Sequence, residues 1–241
     1  MSTHVITYAN KSYGMFESLV NNEFGVPVKV LGMGEKWEGF PTKVKAYRDY
    51  THTLPLGDIV IIVDGFDTQV NGTLETAVSR FKAMGKKLVL SDNPPIPGQF
   101  IQRRVFGTCG GTGPANSGLM MGYVENMRNL LGDMINEKCK DDQRAVNTLC
   151  TKHGIFIDAD HLIFENTIPG NREIKSNAVF VGFPGEMSVK RAVRSLHEYT
   201  QFFIKEILLI FLLLFCVFKK VQYLTIGSLL LLLSFIDLSC V

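Results

Sequence analysis

Apolar and polar positions follow two rhythms along this chain. Ile59 to Val63 is an unbroken run of five β-branched apolar residues, closed by Asp64-Gly65-Phe66-Asp67. A run with no polar face reads as a strand buried on both sides of a sheet. His4–Tyr8, Val26–Leu31 and Lys87–Ser91 are further strand-like runs. Between them the apolar positions switch to helical spacing. Phe16, Leu19 and Val20 mark one helix, Val44 and Tyr47 a second over Lys43–Tyr50, and Leu74, Ala77, Val78 and Phe81 a third over Thr73–Met84, which Gly85 ends. Residues 5–91 thus alternate strand and helix, which predicts a mostly parallel α/β sheet with helices on both faces.

The same rhythms continue beyond a proline-rich loop, Asp92–Gly98, and a glycine-rich loop, Gly107–Gly113. Strands are expected at Leu119–Tyr123, Ile155–Asp158, Leu162–Asn166 and Ala178–Val181. Helices are expected at Tyr123–Lys138, after Asp141-Asp142 with Ala145, Val146 and Leu149 inward, and from about Ser188. No internal repeat is visible.

From Phe202 the pattern changes again. Ile207–Phe218 carries no charge, Lys219-Lys220 interrupts, and Val221–Ile236 is again uncharged. A soluble helix needs a polar face, and Leu208–Phe218 has none. Each run is slightly short for a hydrocarbon core of about 30 Å. Snorkelling of Lys205 and Glu206, and an interfacial Asp237, would lengthen them. The expectation is a domain at residues 1–200 followed by a membrane anchor at 201–241, as a single transmembrane helix or a helical hairpin. No basic segment with an apolar h-region opens the chain, so no signal peptide is visible. Lys219-Lys220 favours one sidedness of the anchor, while Lys190, Arg191, Arg194 and Lys205 favour the other.

Composition changes little in this picture. The 241 residues suffice for one sizeable domain. A net charge of +2 with acids and bases interspersed gives no basic stripe and argues against nucleic acid. The five cysteines lack CxxC spacing, so a zinc site is not expected. Cys109, Cys139 and Cys150 can include one disulfide or remain thiols. No GxGxxG follows the first strand and no GxxxxGK[ST] occurs, which argues against a dinucleotide fingerprint and a P-loop.

The chemistry is concentrated after the buried strand. Open α/β sheets bind ligands at the carboxyl ends of their strands. Asp64 and Asp67, separated by a turn containing Gly65, offer two hard oxygens there. Such a pair suits Mg²⁺ or Mn²⁺ carrying substrate phosphates. A polar turn with one Asp as a helix cap is the competing reading.

Taken in order, Val28-Lys29-Val30-Leu31-Gly32-x-Gly34-Glu35-x-Trp37-x-Gly39, Asp64-Gly65-Phe66-Asp67, Asn116-Ser117-Gly118, Asp141-Asp142-Gln143 and Ile163-Phe164-Glu165-Asn166 resemble the glycosyltransferase domain of the procollagen lysyl hydroxylases. The same pieces are similar to the procollagen galactosyltransferases and their stand-alone relatives. The resemblance spans roughly residues 4–200, without the hydroxylase domain. It implies a GT-A fold (Rossmann-like) that uses a UDP-sugar and Mn²⁺ (or Mg²⁺). On that basis Asp64 and Asp67 take the metal positions, and Asp64 also approaches the ribose. Thr7 and Ala9 border the nucleotide, Trp37 lines the uridine pocket and Lys43 neighbours the diphosphate. Asn116 lies beside the donor sugar. Asp141 and Asp142 form the acidic loop over it, as base or acceptor-orienting carboxylates. Packing for Trp37, a turn for Asn116 and helix capping for Asp141-Asp142 are the plainer readings.

One position departs from the family's pattern. A histidine expected after the last strand, as third metal ligand, is replaced by Val181 in Phe180-Val181-Gly182. Valine cannot ligate, so water or another group must complete the ion's shell, or binding is weakened. His161 reads as a surface residue beside Asp160. The resemblance implies transfer of glucose or galactose from UDP-glucose or UDP-galactose to a hydroxyl of a collagen-like acceptor, hydroxylysine or its galactosylated form, at the endoplasmic reticulum membrane. A non-catalytic scaffold that retains nucleotide binding, and a nucleotidyltransferase, are the alternatives.

Overall fold

A computed structural model of the chain describes residues 1–94, 99–111, 113–137, 139, 141–168, 171, 173–184 and 200–217. The chain divides into two compact units, Met1–Glu186 and Met187–Val241.

The first unit is built on a six-stranded sheet. Its strands are β1 (Thr3–Tyr8), β2 (Val28–Leu31), β3 (Ile59–Asp64), β5 (Leu88–Asp92), β6 (Ala115–Tyr123) and β7 (Phe156–Ile157), in the order β2-β1-β3-β6-β5-β7. β1 pairs in parallel with β2 and β3, and β5 with β7. β6 runs antiparallel to β3 on one side and β5 on the other. The sheet is therefore mostly parallel, as expected, with one reversed strand near its centre.

Alternation along β3 distributes the core over two faces. Val60 and Ile62 join Ile6, Tyr8, Leu88, Leu90 and Met120 in one buried cluster. Helices α2 (Phe40–Thr51), α5 (Val124–Asn136) and α6 (Asp142–His153) cover it through Val44, Tyr47, Met127, Leu130, Val146 and Leu149. Ile59, Ile61 and Val63 join Val5, Val89, Leu119 and Met121 on the other face. There they meet Leu19 of α1 (Phe16–Val20) and Ala77 and Phe81 of α3 (Leu74–Met84). Both faces of β3 are thus dry, which accounts for its lack of polar residues.

A second sheet of three strands has the order β4-β9-β8, with β4 at Thr68–Val70, β8 at Phe164–Asn166 and β9 at Phe180–Gly182. β9 is antiparallel to β4 and parallel to β8. β4 is only three residues long and has no counterpart in the hydrophobic pattern. α4 (Gln99–Phe106) was also not expected: it buries Val105 alone and exposes Phe100 and Ile101, so its apolar positions do not mark an inward face.

Local chemistry fixes the helix ends. The Thr73 hydroxyl accepts from the Thr76 amide at the start of α3, and Gly85 closes it with φ 61°. Asp141 caps α6 by accepting from the Arg144 amide at 2.8 Å, and Gly154 ends it. A disulfide joins Cys109, in the loop after α4, to Cys150 on α6, with Cα atoms 5.2 Å apart.

In the second unit, Thr200–Phe203 forms a 3-10 turn and Ile204–Val217 a 14-residue apolar helix. Among the described residues no helix is long and apolar enough to cross a membrane. The expected helix from Ser188, Lys219-Lys220 and the run Val221–Ile236 lie outside the described residues.

Candidate active site

The carboxyl ends of β1, β3 and β5 and the reversed start of β6 meet at one edge of the large sheet. α2 begins beside this edge, with Gly39 at φ 111° and Pro41 in its first turn. That places Lys43 over the end of β3. Its ammonium lies 2.9 Å from Asp64 Oδ1 and 2.9 Å from Asp142 Oδ2. The Ser117 hydroxyl donates to the same Asp142 oxygen at 2.9 Å. Lys43 also lies 5.4 Å from the centre of the Phe40 ring.

The exposures differ in a way that matters. The side chains of Lys43 and Asp142 are 9% and 7% exposed, whereas Asp64 is 37% exposed. A buried cation thus fixes one buried carboxylate and one that opens to solvent. Burial alone would lower the Lys43 pKa, but Asp142 and Asp64 more than offset it and hold the amine well above its ordinary value. Lys43 is therefore a permanent positive charge at the strand edge.

The turn after Asp64 depends on two glycines. A Cβ on Gly65 would sit 2.9 Å from both Thr7 Oγ1 and the Tyr8 carbonyl oxygen. A Cβ on Gly118 would sit 2.5 Å from Asp64 Oδ2 and 2.9 Å from Asn116 Oδ1. Both positions need the bare backbone for close approach. Asp67 follows the turn, and its carbonyl accepts from the Phe183 amide at 2.7 Å, tying this loop to the end of β9.

Asp64 and Asp67 supply hard oxygen donors at one turn, one of them open to solvent. Carboxylate oxygens are the donor type that a divalent ion takes, with water or other oxygens completing its shell. Val181 is fully buried within β9. Among the described residues no group of three or more His, Cys, Asp or Glu side chains gathers at metal-binding distance.

Thr7 and Ala9 lie at the end of β1 with no exposed side-chain surface, and the Thr7 hydroxyl donates to the Val63 carbonyl at 2.7 Å. Trp37 is 43% exposed, with its ring 5.7 Å from Tyr8 and 5.8 Å from Phe40. It is therefore not core packing but part of an open aromatic ledge beside α2. The Tyr8 hydroxyl donates to Glu35 at 3.4 Å in the same ledge.

Asn116 lies inside β6 rather than in a turn before it. Its Oδ1 accepts from the Gly118 amide at 2.7 Å, and its Nδ2 donates to Asn93 Oδ1 at 3.1 Å. Asp141 is both a helix cap and a neighbour of the charged cluster. Burial first, and then the charge of Asp142, push its carboxyl up to about 6.

Sequence reasoning missed several contributors. Ser117 was legible only as part of Asn-Ser-Gly. Asn147, on α6, holds the start of β6 by accepting from the Ala115 amide at 2.7 Å and donating to its carbonyl at 2.9 Å. Nothing in its spacing announces that role. His161 does not stand beside Asp160 alone: its Nε2 faces Asp92 at the end of β5.

The family model described as the PLOD GT domain matches residues 2–177. No curated protein matches the chain.

Proposed function

The chain belongs to the PLOD glycosyltransferase-domain family, and from that premise we propose that it transfers glucose or galactose from a UDP-sugar to a hydroxyl group, that of hydroxylysine or galactosylhydroxylysine on a collagen-like chain. The observation that carries this reading is Lys43, buried between Asp64 and Asp142 at the sheet edge where Asp67 and Asp141 also lie.

Each residue then has a distinct task. Lys43 holds Asp64 and Asp142 in place and adds positive charge beside a leaving diphosphate, where negative charge grows as the sugar departs. Trp37 offers an exposed ring for the uracil base, and Thr7 and Ala9, both buried, shape the end of β1 beneath the nucleotide rather than touching it. Asp64 and Asp67 would hold Mn²⁺ or Mg²⁺, which when bound neutralises diphosphate charge. Asn116 and Asp142 border the sugar. Asp141, with its carboxyl poised near 6, takes the proton of the acceptor hydroxyl. The apolar residues from 202 onward attach the chain to a membrane in this reading, consistent with Leu209 and Ile210 each being 57% exposed.

The test is UDP release from UDP-glucose and UDP-galactose by the full chain in detergent, with and without Mn²⁺. Metal-dependent release lost in Asp64→Ala and Asp67→Ala is the expected result. Val181 favours a second reading, a non-catalytic relative that retains nucleotide binding. Folded protein that binds UDP without any release would select it.

A further inference from the structure

The proposed reaction leaves one polar pair on the same edge without a task. Asp92 ends β5 as Asp64 ends β3, and β6 lies between them. The pairing registers set Asp92 opposite Ala115, and place Gly118 next after the Val63–Leu119 pair. Asp64 and Asp92 are therefore separated by two strand spacings across β6, about 10 Å, and further by the offset from Gly118 to Ala115 along it. The gap is lined by Gly118, Asn116 and Asn93, joined by hydrogen bonds.

His161 faces Asp92 from the loop between β7 and β8. Its Nε2 lies 3.3 Å from Oδ1 and 3.4 Å from Oδ2 of the carboxylate. His161 is the one non-glycine residue with positive φ among the described residues, at 52°. Such a conformation persists only where the surroundings impose it. Here Asp158 does so. Its carboxylate, buried at 1% exposure, accepts from the amides of Leu162, Ile163 and Phe164, and its carbonyl accepts from the His161 amide. The loop is thus pinned so that the imidazole projects over β5.

The pair is neither sealed nor satisfied. The His161 and Asp92 side chains are 33% and 24% exposed. Asp92 Oδ1 is buried yet accepts no hydrogen bond of good geometry. Below, Asn166 donates to the Asp92 carbonyl and to the Ser91 hydroxyl, each at 2.8 Å, which fixes the backbone of β5 there. The charged groups facing Asp92 are His161 and the buried Asp158. A carboxylate and an imidazole, rigidly held and open on one side, suit adjacent hydroxyls of a sugar ring.

We propose that Asp92 and His161 form a hexose-hydroxyl subsite on the sheet edge across β6 from Asp64 and Lys43 and that they select the sugar there. The inference rests on the UDP-sugar reading above. The hydroxyls belong either to the donor hexose or to a sugar on the acceptor, and the experiment separates these.

Calorimetric titration of the full chain with UDP and with UDP-glucose, in Mn²⁺, compares wild type with Asp92→Asn and His161→Gln. UDP affinity should be unchanged. If the donor sugar is held, the added affinity of UDP-glucose over UDP falls roughly tenfold. If the acceptor sugar is held, that increment stays and KM for galactosylhydroxylysine rises roughly tenfold with kcat retained. His161→Gly separates binding from folding: glycine accepts the positive φ, so thermal stability should hold while sugar selection is lost. Wild-type constants for both sugars in all three variants would overturn the subsite. Failure of the wild-type chain to bind UDP at all would instead remove the UDP-sugar reading and the subsite with it.

Discussion

Lys43 shows how much one side chain can hold. Its ammonium satisfies two carboxylates, one of them buried. Lys43→Met removes the cation and leaves Asp142 buried beside Ser117 without its counter-charge. Breaking a buried pair in this way costs on the order of 3 kcal/mol, so urea denaturation of the variant should show a clear loss of stability. Asp142→Asn in the same background should restore part of it, because the uncompensated charge is then gone. Asp141 gives a prediction in pH. Its folded pKa, about 6, lies above the ordinary value for an aspartate, so the native state holds the proton more tightly than the unfolded chain. Stability from this group is present below about pH 4 and declines as pH rises through about 6. Asp141→Asn keeps a capping side chain and should flatten that decline, measured as melting temperature between pH 4 and 7. If Asp141 is the base, transfer activity rises with an apparent pKa near 6 in wild type and loses that limb in the variant. Asp64, Asp67 and Asp141-Asp142 were legible as candidates because carboxylates beside apolar runs stand out. His161 was not, because a single histidine in a loop carries no sign of which strand end it will face.

At the level of elements, β6 brings the most together. Its reversed direction presents Asn116, Ser117 and Gly118 to Asp64, Asn93 and Asp142 at once. Periodicity marks a strand but not its direction, so the hydrophobic pattern of Leu119–Tyr123 left this arrangement invisible. Gly118→Ala tests it. The new methyl presses on the side-chain oxygens of Asp64 and Asn116 rather than on a neighbouring strand's backbone, so the variant should still fold, with a lowered melting temperature. Mn²⁺-dependent UDP binding should drop by roughly tenfold or more, as a hydrogen-bonded charged group is displaced. The Cys109–Cys150 bond joins the loop before β6 to α6. Spacing could not choose among Cys109, Cys139 and Cys150, because only the fold decides which sulfurs meet. Peptide mapping without reductant should recover the 109–150 cross-link. Adding reductant should cost roughly 2–4 kcal/mol of stability in urea titration.

For the whole molecule, the alternation of strands and helices through residue 91 translated directly into a sheet covered on both faces. The small sheet did not, since β4, β8 and β9 have three residues each and carry too little pattern to be read as a layer. The first unit, Met1–Glu186, contains both core clusters. Expressed alone it should fold, with a cooperative melt and dispersed NMR amide signals. The apolar C-terminal stretch makes a separate prediction at this scale. The full chain should float with phosphatidylcholine vesicles in a density gradient, and residues 1–186 should remain at the bottom. Flotation of both would assign membrane attachment to the first unit instead.

The bond between Cys109 and Cys150 closes a covalent ring whose members include Asn116, Ser117, Gly118, Asp141 and Asp142. A ring of that kind stays closed in an oxidising lumen and opens where glutathione keeps thiols reduced. The two sulfurs are therefore a compass for orientation. In intact cells, alkylation by a membrane-permeant maleimide before and after reduction reports which solvent this domain faces.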